Sequence, residues 1–162
     1  MANTGLYFVT ICTQDKACRF GNVVDDEMLL NSVGKMIESE WLALPQHFEH
    51  VGLDSFVVMP NHIHGIIALS KNIPLSRVIQ VFKSVSTNEY IRGVQQHGWE
   101  KFDGTFWQRS YYDHVIRNDK DLFRVQEYIL NNSLSWSLDE ENPNRNNRRP
   151  TGRTQGPPLR SQ

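Results

Sequence analysis

His62 and His64 are separated by one residue, Ile63, inside the apolar run that joins Phe56-Val57-Val58-Met59 to Gly65-Ile66-Ile67-Ala68-Leu69. In a segment this β-prone, side chains alternate between faces, so both imidazoles project from one face of a strand. Two imidazoles so placed can hold one metal ion against an anionic substrate. They are an incomplete ligand set for almost any metal, so a third donor must come from elsewhere in the chain. The last predicted helix offers candidates. Tyr128 and Asn132 are four residues apart, on one helix face about 6 Å apart along the axis. Leu122, Val125 and Ile129 form the expected buried stripe of that helix, and Tyr128 and Asn132 project from its flank.

These residue types suit phosphoryl transfer. A metal ion on a scissile phosphate withdraws charge from phosphorus and stabilises the transition state. A tyrosine hydroxyl, with an ordinary pKa of about 10, attacks at neutral pH only where a nearby cation or base favours its phenolate. Attack on a phosphodiester leaves a covalent phosphotyrosine and a free hydroxyl, so the bond can be re-formed without ATP. In keeping with that economy, the chain contains no Gly-x-x-x-x-Gly-Lys-Ser/Thr motif. Each residue also has a plainer reading. Lone histidines are usually structural, Tyr128 can be a half-buried anchor of its helix, and Asn131-Asn132 can be a helix terminator.

The elements that must position these groups can be traced from the pattern. Tyr7 to Thr13 is aromatic and β-branched and reads as a first strand. Asp25 to Trp41 reads as a helix, with an acidic start and apolar residues near helical period. Val51 to Met59 and His62 to Leu69 are two strands around a Pro60-Asn61 turn. A second helix starts near Pro74 and continues toward Tyr90-Ile91. Gly98 to Gly104 is a loop and Thr105 to Arg117 is strand-like, with Tyr112, His114 and Ile116 on one face. Asn118 caps a last helix running to Asn132. The expected fold is α+β, a ferredoxin-like split βαβ sandwich in the order β-α-β-β-α-β, with an added C-terminal helix carrying Tyr128. A single catalytic domain over residues 1–138 and a basic, disordered tail over 139–162 complete the organisation.

The composition is compatible with this. At 162 residues and 39% hydrophobic, the chain suits one domain with a real core. No apolar run approaches a membrane span and the N-terminus is no signal peptide, so a soluble, cytoplasmic and nucleoid-associated protein with no membrane partner is expected. Cys12 and Cys18 are the only cysteines, which excludes a disulfide framework. Reduced thiols are expected, with a disulfide across the turn between them as the alternative. The net charge of −1 is unevenly spread: three basic and eight acidic residues up to Pro60, and five arginines without an acid from Asn142 onward. Phosphate contacts are therefore expected on one side of the molecule.

The quoted strings narrow the reading further. Tyr7–Thr13 and Val57-Val58-Met59-Pro60-Asn61-His62-Ile63-His64-Gly65 resemble the single-tyrosine HUH transposases. Phe82-Lys83-Ser84, the run Phe106–Arg117 and Tyr128-Ile129-Leu130-Asn131-Asn132 most resemble their REP-associated tyrosine transposase branch. The resemblance spans about Leu6 to Trp136. It implies a ferredoxin-like catalytic domain, a Mg²⁺ or Mn²⁺ cofactor, and cleavage and strand transfer of single-stranded DNA near hairpins through a 5′-phosphotyrosine. His62 and His64 match the metal-binding pair and Tyr128 the nucleophile. Asn132 stands where insertion-sequence members carry a glutamine ligand, a departure that keeps the carboxamide. The implied partner is single-stranded hairpin DNA from repetitive palindromic or transposon-end sequences. Because insertion-sequence relatives are dimers that share active sites, a homodimer is also an expectation.

Lys83, Arg109 and Arg117 are candidate phosphate contacts. His114 is a candidate DNA or supporting contact, and Tyr112 a stacking surface or a competing nucleophile. Two rival functions are weighed against cleavage. One is a non-catalytic single-strand nucleic-acid-binding module derived from a transposase. The other is a hydrolase using the His-x-His site with water as nucleophile.

Overall fold

In a computed structural model of the chain, residues 4–70 and 72–145 are described. Four strands, β1 (Thr4–Cys12), β4 (Val51–Met59), β5 (His62–Ser70) and β6 (Tyr112–Ile116), form one antiparallel sheet in the order β4-β5-β1-β6. This is the strand order of the split βαβ sandwich, with β5 and β1 central. Strands β4 and β5 are joined by the two-residue Pro60-Asn61 turn, which sets Met59 opposite His62 and Val57 opposite His64. Two helices, α1 (Ser32–Leu42) and α3 (Leu75–His97), cover one face of the sheet, and the single turn α2 (Leu44–His47) follows α1. Helix α4 (Asp119–Leu130) covers the other.

Strand alternation sorts β5 between these layers. Ile63, Ile67 and Leu69 point into the larger core with Val9, Ile11, Trp41 and Phe82. Ile66 points the other way, into a smaller core with Phe8, Ile116, Val125 and Ile129, partly covered by Tyr112 and Tyr128. His62 and His64 share the α4 side with Ile66. On the opposite face, between His64 and Ile66, Gly65 leaves room for Trp41, since a Cβ at that position would lie 2.4 Å from the indole.

Three expectations are corrected. The segment before Ser32 is not helical: β2 (Gly21–Val24) and β3 (Glu27–Leu30) form a hairpin turning at Asp25-Asp26. Both turn residues have positive φ, 52° and 64°, the left-handed geometry of a two-residue hairpin turn that aspartate tolerates better than most residues. Helix α1 starts only after Asn31, whose side chain accepts from the Gly34 amide at 2.8 Å. The strand expected over Thr105–Arg117 is reduced to β6. Phe106 and Trp107 leave the ladder to enter the larger core, where Trp107 Nε1 donates to Ser86 Oγ at 2.9 Å. Helix α4 ends at Leu130, so Asn132 opens a separate 3₁₀ helix, Asn132–Leu138, and does not close α4.

Beyond residue 138 the chain returns to the domain. Asn142 is buried and donates through Nδ2 to the Trp136 carbonyl at 2.8 Å. Lys16 Nζ donates to the Glu140 carbonyl at 2.9 Å. The rest of the expected tail, residues 146–162, lies outside the described residues. Among the described residues Cys12 and Cys18 are free thiols, and no helix is long and apolar enough to cross a membrane.

Candidate active site

The histidines meet because β5 presents both on one face. Their Nε2 atoms are 3.1 Å apart. Both rings are buried, His62 completely. Each second ring nitrogen has a partner: Asn61 Oδ1 lies 2.8 Å from His62 Nδ1, and Thr10 Oγ1 lies 2.7 Å from His64 Nδ1. Register produces the second contact, since β1 sets Thr10 directly opposite His64. Phe8, two residues along the same face, stacks on His64 with ring centroids 5.4 Å apart.

Helix α4 brings Tyr128 to this cluster. Its ring lies 5.3 Å from that of His64 and meets Phe8 edge-on at 5.9 Å. Val125 and Ile129 anchor the helix on the sheet. A second clamp fixes its first turn, where Asn118 caps the Asp121 amide and buried Asp121 accepts from His114 Nε2 (2.9 Å) and Arg124 (2.8 Å). Burial raises the Asp121 pKa, but these hydrogen bonds outweigh it and hold the carboxyl below its usual range.

Asn132 is buried, and its Oδ1 has no hydrogen-bond partner in the structure. Unsatisfied buried oxygens are costly and rare, and a ligand is one of the ordinary explanations. Among the described residues no three His, Cys, Asp or Glu side chains are grouped to hold a metal. A metal at the histidine pair therefore needs a donor of another type, and a buried, unpartnered carboxamide oxygen on the segment following Tyr128 fits that requirement. The protonation state fits too. Burial lowers the His62 pKa to about 4, against a smaller opposing effect of Glu141, so the ring is neutral at physiological pH. Cys12, paired in register with His62, is no rival nucleophile. Burial and then the Glu141 and Asp139 carboxylates push its thiol up to about 12.

The candidate DNA contacts separate into two groups. Arg109 and Arg117 are exposed, and Tyr112 is half-buried with its ring edge-on to Phe8, on the same sheet face as Tyr128. His114 and Lys83 are held by groups of the protein itself, His114 in its supporting role. His114 is buried against Asp121 and serves to join β6 to α4. Lys83 Nζ donates to the carbonyls of Gln108 (2.7 Å), Arg109 (3.0 Å) and Ser110 (3.4 Å), which uses all three of its donors on the loop before β6. Lys83→Met is accordingly expected to lower stability by about 1–3 kcal/mol while leaving the salt dependence of DNA binding unchanged. An unaltered thermal melt with a shallower salt dependence would restore Lys83 as a phosphate contact.

Thr10, Asn61 and Trp136, whose ring lies 6.1 Å from His62, are site residues that sequence reasoning missed. Only Asn61 carried a local signal, its place directly before His62 in the turn.

Comparisons with known proteins place the chain in a family. The family described as "Transposase IS200 like" matches residues 28–132, a span that contains His62, His64, Tyr128 and Asn132. An uncharacterized Haemophilus influenzae protein is 34% identical over 151 residues, covering 84% of this chain and 84% of its own. A second protein of that organism, named "Putative REP-associated tyrosine transposase", is 28% identical over 136 residues and covers 80% of this chain and 70% of its own. The solved structure of a REP-associated tyrosine transposase bound to a REP hairpin superposes with a TM-score of 0.60 at 20% identity, covering 83% of this chain and 70% of that one. At that identity it supports the fold. With the family match running from the hairpin through the whole histidine–tyrosine constellation, the chain belongs to the IS200-like transposase family.

Proposed function

We propose that this chain cleaves and rejoins single-stranded DNA near hairpins, with Tyr128 as the nucleophile. The observation that carries the proposal is the convergence of two central-strand imidazoles, 3.1 Å apart, with a tyrosine ring from α4 at 5.3 Å. His62 Nε2, His64 Nε2 and Asn132 Oδ1 would hold Mg²⁺ or Mn²⁺, which would supply positive charge against the negative charge developing on the scissile phosphate. The Tyr128 oxygen loses its proton and bonds to phosphorus. The phosphorus–O3′ bond breaks, and the departing 3′ oxygen takes up a proton. A 5′-phosphotyrosine and a free 3′-hydroxyl result, and the reverse attack of a 3′-hydroxyl rejoins DNA. Exposed Arg109 and Arg117 hold the backbone, and Tyr112 offers a stacking surface beside the site.

The test uses hairpin oligonucleotides labelled at the 3′ end, incubated with protein and Mn²⁺ and resolved on a denaturing gel. A labelled band at protein size that disappears with EDTA is the expected result. Tight binding to many hairpins without any adduct would replace this reading with a binding module.

A further inference from the structure

We propose that Asn61 is a positioning residue that locks His62 in the tautomer able to bind metal, so that metal loading switches the tautomer of His64 alone. The inference rests on the metal site proposed above, but its central observable does not require cleavage.

Asn61 is buried in the β4–β5 turn. Its Nδ2 donates to two backbone carbonyls, those of Lys16 at 3.2 Å and Glu141 at 2.6 Å. Turning the amide over would set its oxygen against two carbonyl oxygens, so the hydrogen-bond network fixes the orientation. The Asn61 oxygen therefore faces His62 Nδ1, at 2.8 Å, and can only accept. His62 must carry its proton on Nδ1. In a fully buried ring with an amide as its direct partner, the imidazole is neutral, and Nε2 keeps its lone pair. A neutral partner that sets a ligand's tautomer is the ordinary task of an outer-shell residue.

The consequence for His64 follows from one distance. His64 Nε2 lies 3.1 Å from His62 Nε2, and two lone pairs would repel at that separation. His64 therefore supplies the proton, with Nε2–H donating to His62. Its own Nδ1 then accepts from the Thr10 hydroxyl, 2.7 Å away. Coordination by both Nε2 atoms requires this proton to move to His64 Nδ1, where Thr10 Oγ1 can equally well accept it. A hydroxyl both donates and accepts, whereas the fixed Asn61 amide offers His62 only an acceptor. The site thus pairs one rigid imidazole with one switchable imidazole. The Glu141 carbonyl makes the segment after residue 138 part of the device.

Long-range ¹H–¹⁵N spectra of the full chain distinguish protonated from lone-pair imidazole nitrogens and test this directly. In the metal-free protein, His62 is expected to show a lone pair at Nε2 and His64 a lone pair at Nδ1. Zn²⁺, a diamagnetic probe of the same site, should leave His62 unchanged and invert His64. A protonated His62 Nε2 in the wild type overturns the proposal without any variant. Asn61→Leu should release His62 toward the Nε2–H form and weaken Mn²⁺ binding, followed by electron paramagnetic resonance, about 10–100-fold. An unchanged His62 tautomer in folded Asn61→Leu removes Asn61 from this role. Loss of covalent adduct formation with the tautomers intact would count against the nuclease reading only.

Discussion

Replacing Tyr128 by phenylalanine is expected to abolish the covalent protein–DNA adduct while hairpin binding persists. Deleting a nucleophile from a preorganised site typically costs on the order of 10⁶ in rate, which removes the band from any gel. The fold should not change. Phenylalanine keeps the ring that meets Phe8 edge-on and lies against His64, and the helix stays anchored through Val125, Ile129 and the Asp121 clamp. Tyr112 supplies the discriminating control, because it lies on the same sheet face and its ring also meets Phe8. Its substitution by phenylalanine should leave the adduct forming. Adduct in Tyr128→Phe but not in Tyr112→Phe would transfer the nucleophile to β6. Continued cleavage without adduct in Tyr128→Phe would instead favour a metal-activated water at the histidine pair.

How far this site can be read from the sequence depends on how local each determinant is. The histidine pair needs only the two-residue period of one strand, and the flanking apolar runs announce that strand. Tyr128 needs a helical stripe and its flank, which Val125 and Ile129 supply. Asn132 reads as the end of α4 but opens the 3₁₀ helix that follows, because nothing local distinguishes a last α-turn from the start of a 3₁₀ helix. The hairpin at Asp25-Asp26 reads as a helix start since acidic residues suit both structures. Only tertiary pairing of Gly21–Val24 with Glu27–Leu30 decides between them. Lys83 and His114 show the same limit for charge. Lys83 reads as a phosphate contact until the loop carbonyls occupy its donors, and the sequence leaves His114 open between a DNA contact and a supporting role until the Asp121 carboxylate takes its Nε2. Thr10 depends on register and the orientation of Asn61 on a chain segment some eighty residues away, so a window of sequence shows no more than Asn61's place before His62 in the turn.

Acid should destabilise the protein through His62 in a defined window. The ring is fully buried, and its pKa falls from the ordinary 6.5 to about 4 in the folded chain. Above pH 6.5 the side chain is neutral in both folded and unfolded states and contributes no pH dependence. Between pH 6.5 and about 4 the unfolded chain binds a proton that the folded chain refuses, so stability falls as pH falls. The loss ends once the folded ring also titrates, below about pH 4, and its total is about 3 kcal/mol. Carboxylates contribute their own slope over the same range, and a variant isolates the histidine. His62→Gln, with no titrating group, should show a flatter stability profile between pH 6.5 and 4 in urea unfolding. The difference between the two profiles should approach that 3 kcal/mol. Identical profiles would mean that burial does not lower the His62 pKa, and protons would then compete with metal at this ring from about pH 6.5 downward. Mn²⁺ provides the complementary measurement, since binding to the folded state alone adds stability by mass action. Because His62 stays neutral well below pH 6.5, its own protonation should not compete with Mn²⁺ until the pH approaches 4, whereas a solvent-exposed imidazole would compete from about pH 6.5 downward.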